Sequence, residues 1–156
     1  AWSRGNAWAL YGLTNTYRHT NDAVYLSAAQ RVANFFIASL PEDNVPPWDF
    51  RAVREGGEEE IPRDTSAGAI AASGLLELAD QLDEPTGRPY RSAAERILSS
   101  LAANYATWDE PKHEAILLQG TGHKPANQNV NVSLIYGDYY FVEALAKLQG
   151  WRRRIF

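Results

Sequence analysis

Hydrophobic and polar positions along this chain alternate between two kinds of helical pattern. The first segment, from Ser3 to about Arg18, carries apolar residues on more than one face, which indicates burial on more than one face. The next segment, from about Asp22 to Leu40, has a single apolar stripe and is followed by Pro41, a helix stop. The pattern therefore predicts a buried helix followed by an amphipathic helix that covers it.

The same alternation continues through the rest of the chain. A third helix, capped by Asp64 or Thr65 and ending near Leu82, is uncharged and rich in small residues at its start. A fourth, over about 91–105, is amphipathic, and a fifth, over about 134–148, is again mainly apolar. This order predicts an all-α protein of the (α/α) toroid class, in which outer helices cover inner ones. The one strand-like stretch, 115–118, is short.

Five helices are too few to close a ring of helical hairpins, so the open edges would expose apolar faces. The chain also starts at Ala1 inside a motif and contains no methionine. We therefore expect a piece of a longer protein, with the missing part of the same ring as its partner. The acidic, glycine-containing segment 51–61 predicts a mobile loop insertion.

Composition narrows the classes of function. The chain is 45% hydrophobic and 12% aromatic, which is typical of a globular protein. It has no apolar run of about eighteen residues that would span a membrane, and its net charge of −4 argues against a nucleic-acid surface. The absence of cysteine fits a reducing, cytoplasmic compartment. Three scattered histidines do not suggest a zinc site, and no metal or other cofactor is expected.

A polar segment introduces each of the three predicted inner helices. Inner helices of a toroid run parallel, so these segments are expected to meet at one end, where helix N-termini attract anions. A basic, aromatic end on an acidic protein suggests a negatively charged carbohydrate. The candidate residues there are Trp2, Arg4 and Trp8 in the first segment, Trp48, Arg63 and Asp64 in the second, and Thr121, His123 and Lys124 in the third.

Arg4 and Trp8 are the most specific of these candidates. They are four positions apart, so on a helix they point the same way. The guanidinium fork fits a carboxylate, and the indole offers a flat apolar face to a sugar ring. The spacing is equally compatible with Trp8 in the core and Arg4 capping a neighbouring helix.

The other candidates also have two interpretations each. Arg63 and Asp64 form either a site pair or a structural salt bridge with an N-cap. Trp48 lines a subsite or packs within its loop. Asp138, among aromatic residues, is either a site carboxylate or a buried hydrogen-bonding group. The glycine-rich loop around His123 either binds an anion or is a solvated turn.

Four stretches together resemble the unsaturated glucuronyl hydrolases, glycoside hydrolase family 88. They are 2–12, 62–67 running into 71–78, 120–125, and 134–141, and they extend over nearly the whole chain. The family fold is a six-hairpin (α/α)6 barrel. The resemblance therefore implies that residues 1–156 form the C-terminal portion of one such catalytic domain.

The resemblance also implies a reaction. Family members remove the unsaturated uronic acid that polysaccharide lyases leave at the non-reducing end of oligosaccharides, by hydrating its C4=C5 vinyl ether. An aspartate that acts as general acid and base lies in the N-terminal half of the family. That position is upstream of Ala1, so the resemblance implies no catalytic residue in this chain and an inactive isolated fragment.

What the resemblance transfers is substrate binding. Arg4 matches a residue at the uronate region, Trp8 matches an aromatic residue of the pocket, and the 121–124 loop lies where relatives contact the next sugar. This loop lacks the Ser/Lys pattern of relatives that favour sulfated substrates. Two alternatives stay open. One is an unsaturated rhamnogalacturonyl hydrolase, which has a similar Trp-x-Arg-Gly-Asn motif, and the other is a non-catalytic carbohydrate-binding half-barrel.

Overall fold

The computed structural model of the chain describes residues 1–54, 56 and 60–151. Over these residues the fold is all-α, as predicted, and none of its helices is long and apolar enough to cross a membrane. The stretch 115–118 forms no strand; it contributes only an isolated bridge between Leu117 and Ala106. The helices are α1 (Ser3–Thr20), α2 (Ala23–Ala38), α3 (Thr65–Asp80), α4 (Glu84–Asn104) and α5 (Ile135–Leu148), with a short 3-10 turn at Lys124–Ala126.

Helix α3 is the centre of the molecule. It packs against α1, α4 and α5, and every residue from Thr65 to Ala79 is buried. Small residues permit this close packing, since a Cβ atom at Gly74 would stand 3.2 Å from the backbone of Tyr11 on α1. The inner position predicted from its uncharged, small-residue start is confirmed.

Helices α2 and α4 are the covering elements. Helix α2 packs mainly on α1, and α4 packs mainly on α3. Each buries one stripe, represented by Ala33 and Phe36 on α2 and by Ile97 and Leu101 on α4. The predicted covering positions of α2 and α4 are therefore confirmed.

Helix α4 begins at Glu84, well ahead of Arg91, where the sequence pattern placed its start. Its N-cap is Asp83, whose side chain accepts a backbone amide hydrogen bond of 3.1 Å. Pro85 occupies the first turn, where no intrahelical N–H is required. The prolines at 85 and 89 favour a loop when they are read alone, but a good cap and packing on α3 extend the helix through both.

Helix α5 is buried on one face only, although its apolar sequence predicted burial on all sides. Phe141 and Ala144 lie inside, whereas Ile135 is 83% exposed and Val142 is 51% exposed. The buried face packs on α3, and α5 has few contacts with α4. The described residues therefore leave an apolar face of α5 uncovered.

The predicted acidic insertion at 51–61 falls partly outside the described structure. Residues 55 and 57–59 lie outside the described residues. The insertion and its bounds stay a prediction.

Candidate substrate-binding site

The first turns of α1, α3 and α5 meet at one end of the molecule. The Ser3 amide donates to the Trp48 carbonyl over 3.1 Å, and the Thr65 amide donates to the Gln119 carbonyl over 3.3 Å. The three polar segments that were expected to converge therefore do so. We call this end the mouth, formed by residues 2–4, 48, 64–66, 120–124 and 136.

Arg4 lies at the centre of the mouth and is only 6% exposed. Its Nη1 donates to the Thr121 carbonyl at 2.9 Å and to the Tyr136 hydroxyl at 2.8 Å, and its Nη2 donates to the Gly122 carbonyl at 2.5 Å. The guanidinium carbon is also 5.2 Å from the ring centroids of both Trp2 and Tyr136. Arg4 thus joins elements that lie far apart in the sequence.

Asp64 is the charged partner of Arg4 and is fully buried. Its Oδ1 caps α3 by accepting from the Ala67 amide at 3.3 Å, and it also accepts from the Ser66 hydroxyl at 2.5 Å. Its Oδ2 lies 3.3 Å from Arg4 Nη1. Burial raises the pKa of Asp64, and the charge of Arg4 opposes that rise. The expected salt bridge with an N-cap is present, but its cation is Arg4.

Arg63, the neighbour of Asp64, directs its guanidinium elsewhere. Its Nη2 lies 3.1 Å from Oδ2 of Asp43, to which the Tyr105 hydroxyl also donates at 2.8 Å. Arg63 contacts the mouth through its main chain, because its carbonyl accepts from the Thr121 hydroxyl at 2.7 Å. Arg63 therefore supports the mouth through its backbone.

Two of the candidate indoles are exposed, that of Trp2 within the mouth and that of Trp8 one helical turn after Arg4. Trp2 is 46% exposed and Trp8 is 36% exposed, so within this chain Trp8 is not a core residue. Trp2 packs over Gly5, where a Cβ atom would stand 2.7 Å from the ring. Trp8 meets Tyr140 edge to face at 5.1 Å between ring centroids. The half-buried Trp48 contributes its carbonyl, which accepts from the Ser3 hydroxyl at 3.0 Å.

The 121–124 loop forms the rim of the mouth. Thr121 is buried, His123 is exposed and Lys124 is half-buried at the start of the 3-10 turn. The main chains of His123 and Gln128 exchange hydrogen bonds of 2.9 and 3.1 Å, which closes the loop. A Cβ atom at Gly122 would stand 2.9 Å from Cβ of Asn129, so the turn requires glycine there. The His123 side chain is thus held at the surface of the mouth by an ordered loop.

Asp138 makes a different kind of contact. Its two carboxylate oxygens accept from the amides of Ile116 and Leu117 at 3.0 and 2.9 Å. This matches the buried hydrogen-bonding group among its two interpretations, and it ties the 116–117 segment to α5. Within the described ranges, no group of three or more histidine, aspartate or glutamate residues is placed to hold a metal ion.

A second polar cluster, deeper along the inner helices, was missed by the sequence analysis. It borders a cavity of about 750 Å³. The Tyr11 hydroxyl donates to Glu143 at 3.1 Å, while Lys147 Nζ lies 2.9 Å from the Ser73 hydroxyl and 3.5 Å from Glu77. Burial and the nearby carboxylate of Glu143 raise the pKa of Tyr11. The available signal was the presence of these charges on helices otherwise predicted to be apolar.

Comparison with known proteins shows which enzymes this chain resembles in sequence. No family model matches the sequence. The chain is 39% identical over 152 residues to an unsaturated glucuronyl hydrolase of Formosa agariphila, covering 96% of this chain and 36% of that protein. It is 34% identical over 149 residues to an unsaturated chondroitin disaccharide hydrolase of Streptococcus agalactiae, covering 94% and 37%. The chain thus spans well under half the length of these curated relatives.

Solved structures agree with these matches. The crystal structure of the unsaturated glucuronyl hydrolase of a Bacillus species aligns with a TM-score of 0.89 at 38% identity, over 96% of this chain and 39% of that one. A variant of the Streptococcus agalactiae enzyme complexed with dGlcA-GalNAc6S aligns with a TM-score of 0.83 at 33% identity, over 95% and 39%. The fold class is therefore that of the helical (α/α)6 barrel, and this chain aligns to part of such a barrel. Within that class, the chain is a homologue of the unsaturated glucuronyl hydrolases, which confirms the resemblance seen in its motifs.

Proposed function

We propose that this chain forms the substrate-binding part of an unsaturated glucuronyl hydrolase. Such an enzyme removes an unsaturated uronic acid from the non-reducing end of lyase-generated oligosaccharides. The observation that carries the proposal is the mouth, where the buried cation Arg4 lies against the exposed indole of Trp2 and joins the first turns of three helices. The homologous hydrolases support it, because they resemble this chain over nearly its full length.

The chemistry of the mouth suits an unsaturated uronate. A guanidinium and helix N-termini favour a carboxylate, and the indoles of Trp2 and Trp8 suit the apolar face of a sugar ring. His123 and Lys124 on the rim are proposed to contact the next sugar of the chain. Trp48, Arg63, Asp64 and Asp138 are assigned supporting roles, since each holds a backbone segment or another side chain.

Hydration of the C4=C5 double bond requires a group that protonates C4 and assists the attack of water on C5. Asp64 is fully buried and paired with Arg4, and Asp138 accepts two backbone hydrogen bonds, so neither is assigned that role. We assign the proton donor to a part of the barrel outside this chain. The rest of that barrel is accordingly the proposed partner of the exposed face of α5.

The proposed compartment is the cytoplasm. Its support is the absence of cysteine, which excludes the disulfide bonds typical of proteins in oxidising compartments. Fractionation of cells that express the protein at its natural length tests this proposal, and recovery in the secreted fraction contradicts it.

The decisive experiment follows the loss of conjugated double-bond absorbance with an unsaturated glucuronyl disaccharide. The protein at its natural length is expected to consume the substrate, and residues 1–156 alone are expected not to. Turnover by residues 1–156 would assign the chemistry to Asp64 or Asp138 and would refute a proton donor outside this chain. Faster turnover of an unsaturated rhamnogalacturonan disaccharide would favour that alternative specificity, and binding without turnover by both proteins would favour a non-catalytic module.

A further inference from the structure

The Arg4–Asp64 pair fixes a loop rather than an isolated side chain. The Thr121 amide donates to Asp64 Oδ1 at 3.5 Å, and the Thr121 carbonyl accepts from Arg4 at 2.9 Å. The next carbonyl, that of Gly122, accepts from the same guanidinium at 2.5 Å. One ion pair therefore binds the main chain that leads to the rim, through the Thr121 amide and through the carbonyls of Thr121 and Gly122.

Holding a loop with a buried ion pair carries a desolvation penalty. Arg4 is 6% exposed and Asp64 is 0% exposed, and taking two charges out of water offsets most of their mutual attraction. Apolar residues of similar volume would serve stability as well or better, but they would not orient two carbonyls and an amide. What the pair supplies is direction, because a planar guanidinium anchored by a carboxylate can donate only along fixed lines.

The segment bound by the ion pair lies immediately before the residues proposed to contact substrate. Thr121 and Gly122 precede His123, whose side chain is exposed, and Lys124. A displacement of the Thr121 main chain would be carried to both side chains, since the loop is closed by hydrogen bonds between His123 and Gln128. The same displacement would leave Trp8, one helical turn beyond Arg4, in place.

We propose that Asp64 is a positioning residue that acts through Arg4 to set the 121–124 loop, and thereby sets the fit of the sugar that follows the uronate. This inference deepens the proposed function and rests on it. It assigns Asp64 an effect on substrate affinity and on the choice of the second sugar. It does not assign Asp64 a proton-transfer step.

Asp64→Asn tests the proposal in the protein at its natural length. The amide keeps the shape and an oxygen that can cap α3, but it removes the negative charge beside Arg4. KM for an unsaturated disaccharide is expected to rise about tenfold with kcat changed less than about twofold. The ratio of kcat/KM between sulfated and unsulfated disaccharides is also expected to change.

Asp43→Asn is the matched control. It removes the carboxylate of another arginine ion pair, that of Arg63, whose guanidinium lies away from the mouth. Both kinetic constants are expected to stay within about twofold of the original protein. Equal effects of the two substitutions on KM, or a fall in kcat at unchanged KM for Asp64→Asn, would overturn the proposal.

Asp64→Glu covers the case in which the asparagine variant does not fold. The glutamate keeps the charge but lengthens the side chain, so it displaces the loop without leaving Arg4 unpaired. It is expected to raise KM by more than it lowers kcat and to alter the preference for the second sugar. A glutamate variant with unchanged KM and unchanged preference would contradict the inference.

Amide hydrogen exchange separates this inference from the proposed function. In Asp64→Asn, the amides of Thr121 and Gly122 are expected to exchange faster than in the original protein, with no such change in Asp43→Asn. Unchanged exchange at these amides overturns the positioning role whatever the activity. An inactive original protein with faster exchange in Asp64→Asn refutes the proposed function alone.

Discussion

At the scale of single residues, Arg4 uses one guanidinium both for contacts within the fold and for the proposed contact with the ligand. Three of its contacts are to loop carbonyls and a tyrosine hydroxyl, and a fourth is the ion pair with Asp64. Arg4→Ala in the protein at its natural length is expected to reduce kcat/KM by the equivalent of about 2 to 3 kcal/mol, which is typical of a lost charged contact. Steady-state kinetics with an unsaturated glucuronyl disaccharide measures this loss.

Arg63→Ala is the control for that prediction. It removes a guanidinium from the same region of sequence, but one that pairs with Asp43. Its kcat/KM is expected to stay within about threefold of the original value. Unchanged kinetics in Arg4→Ala would remove Arg4 from the site.

Tyr105 provides a pH-dependent prediction away from the mouth. Burial, helped by the Asp43 carboxylate that accepts its hydrogen bond, raises the pKa of Tyr105 from 10.0 to about 12. The fold therefore favours the neutral phenol. Its stabilising contribution is complete below pH about 10, the unfolded pKa, and is lost as the pH rises through the folded pKa.

Tyr105→Phe is accordingly expected to lower the free energy of unfolding by about 1 kcal/mol at neutral pH, through the lost hydrogen bond. The difference from the original protein should shrink as the pH rises from 10.0 to about 12. Urea unfolding at a series of alkaline pH values measures it. A difference that stays constant over that range would show that Tyr105 does not titrate as argued.

At the scale of helices, close approach depends on glycines at particular crossings. A Cβ atom at Gly87 on α4 would stand 2.6 Å from the Ala79 carbonyl oxygen near the end of α3. Because that neighbour is backbone, it cannot move aside cheaply. Gly87→Ala is expected to lower the free energy of unfolding by about 1 to 3 kcal/mol, measured by urea unfolding.

Gly12→Ala on α1 is the matched substitution. Apart from its chain neighbours and the adjacent backbone of α1, no heavy atom of the described residues lies within 4 Å of its Cβ position. It is expected to stabilise the chain by about 0.5 to 1 kcal/mol through helix propensity. Equal effects of the two alanines would mean that α4 does not cross α3 as closely as described.

Helices also differ in how well their sequences predict them. Helix α3 was placed correctly because Asp64 caps it and its small, uncharged residues fit an inner position. The start of α4 was misplaced because Pro85 and Pro89 act as breakers only in isolation. Burial of α5 was overestimated, since an apolar sequence does not reveal whether the chain itself supplies a second covering face.

At the scale of the whole molecule, the exposed face of α5 governs behaviour in solution. Ile135, Val142 and Trp151 are 83%, 51% and 71% exposed, so a substantial apolar surface is in contact with water. Residues 1–156 alone are expected to be marginally stable or to associate. Sedimentation and thermal melting at several protein concentrations measure this, and a sharp melt of a monomer that does not depend on concentration would refute it.

Val142→Lys is expected to weaken that association, because it places a charge in the apolar face. Val24→Lys is the control, since Val24 on α2 is 60% exposed but lies on a covering helix. It is expected to leave the association unchanged. Equal effects of the two lysines would indicate general charge repulsion rather than a defined surface.

The sequence by itself determined the inner position of α3, the covering positions of α2 and α4, the fold class and the segments that meet at the mouth. Those features depend on periodicity and capping, which act between residues a few positions apart. Only the tertiary structure decided where each polar side chain is directed. Arg4 donates hydrogen bonds to Ser66 and Tyr136, which lie 62 and 132 positions away in the sequence, and Arg63 forms an ion pair with Asp43. Partners so distant in sequence leave no local pattern, because they are brought together only when α1 and α5 pack on α3.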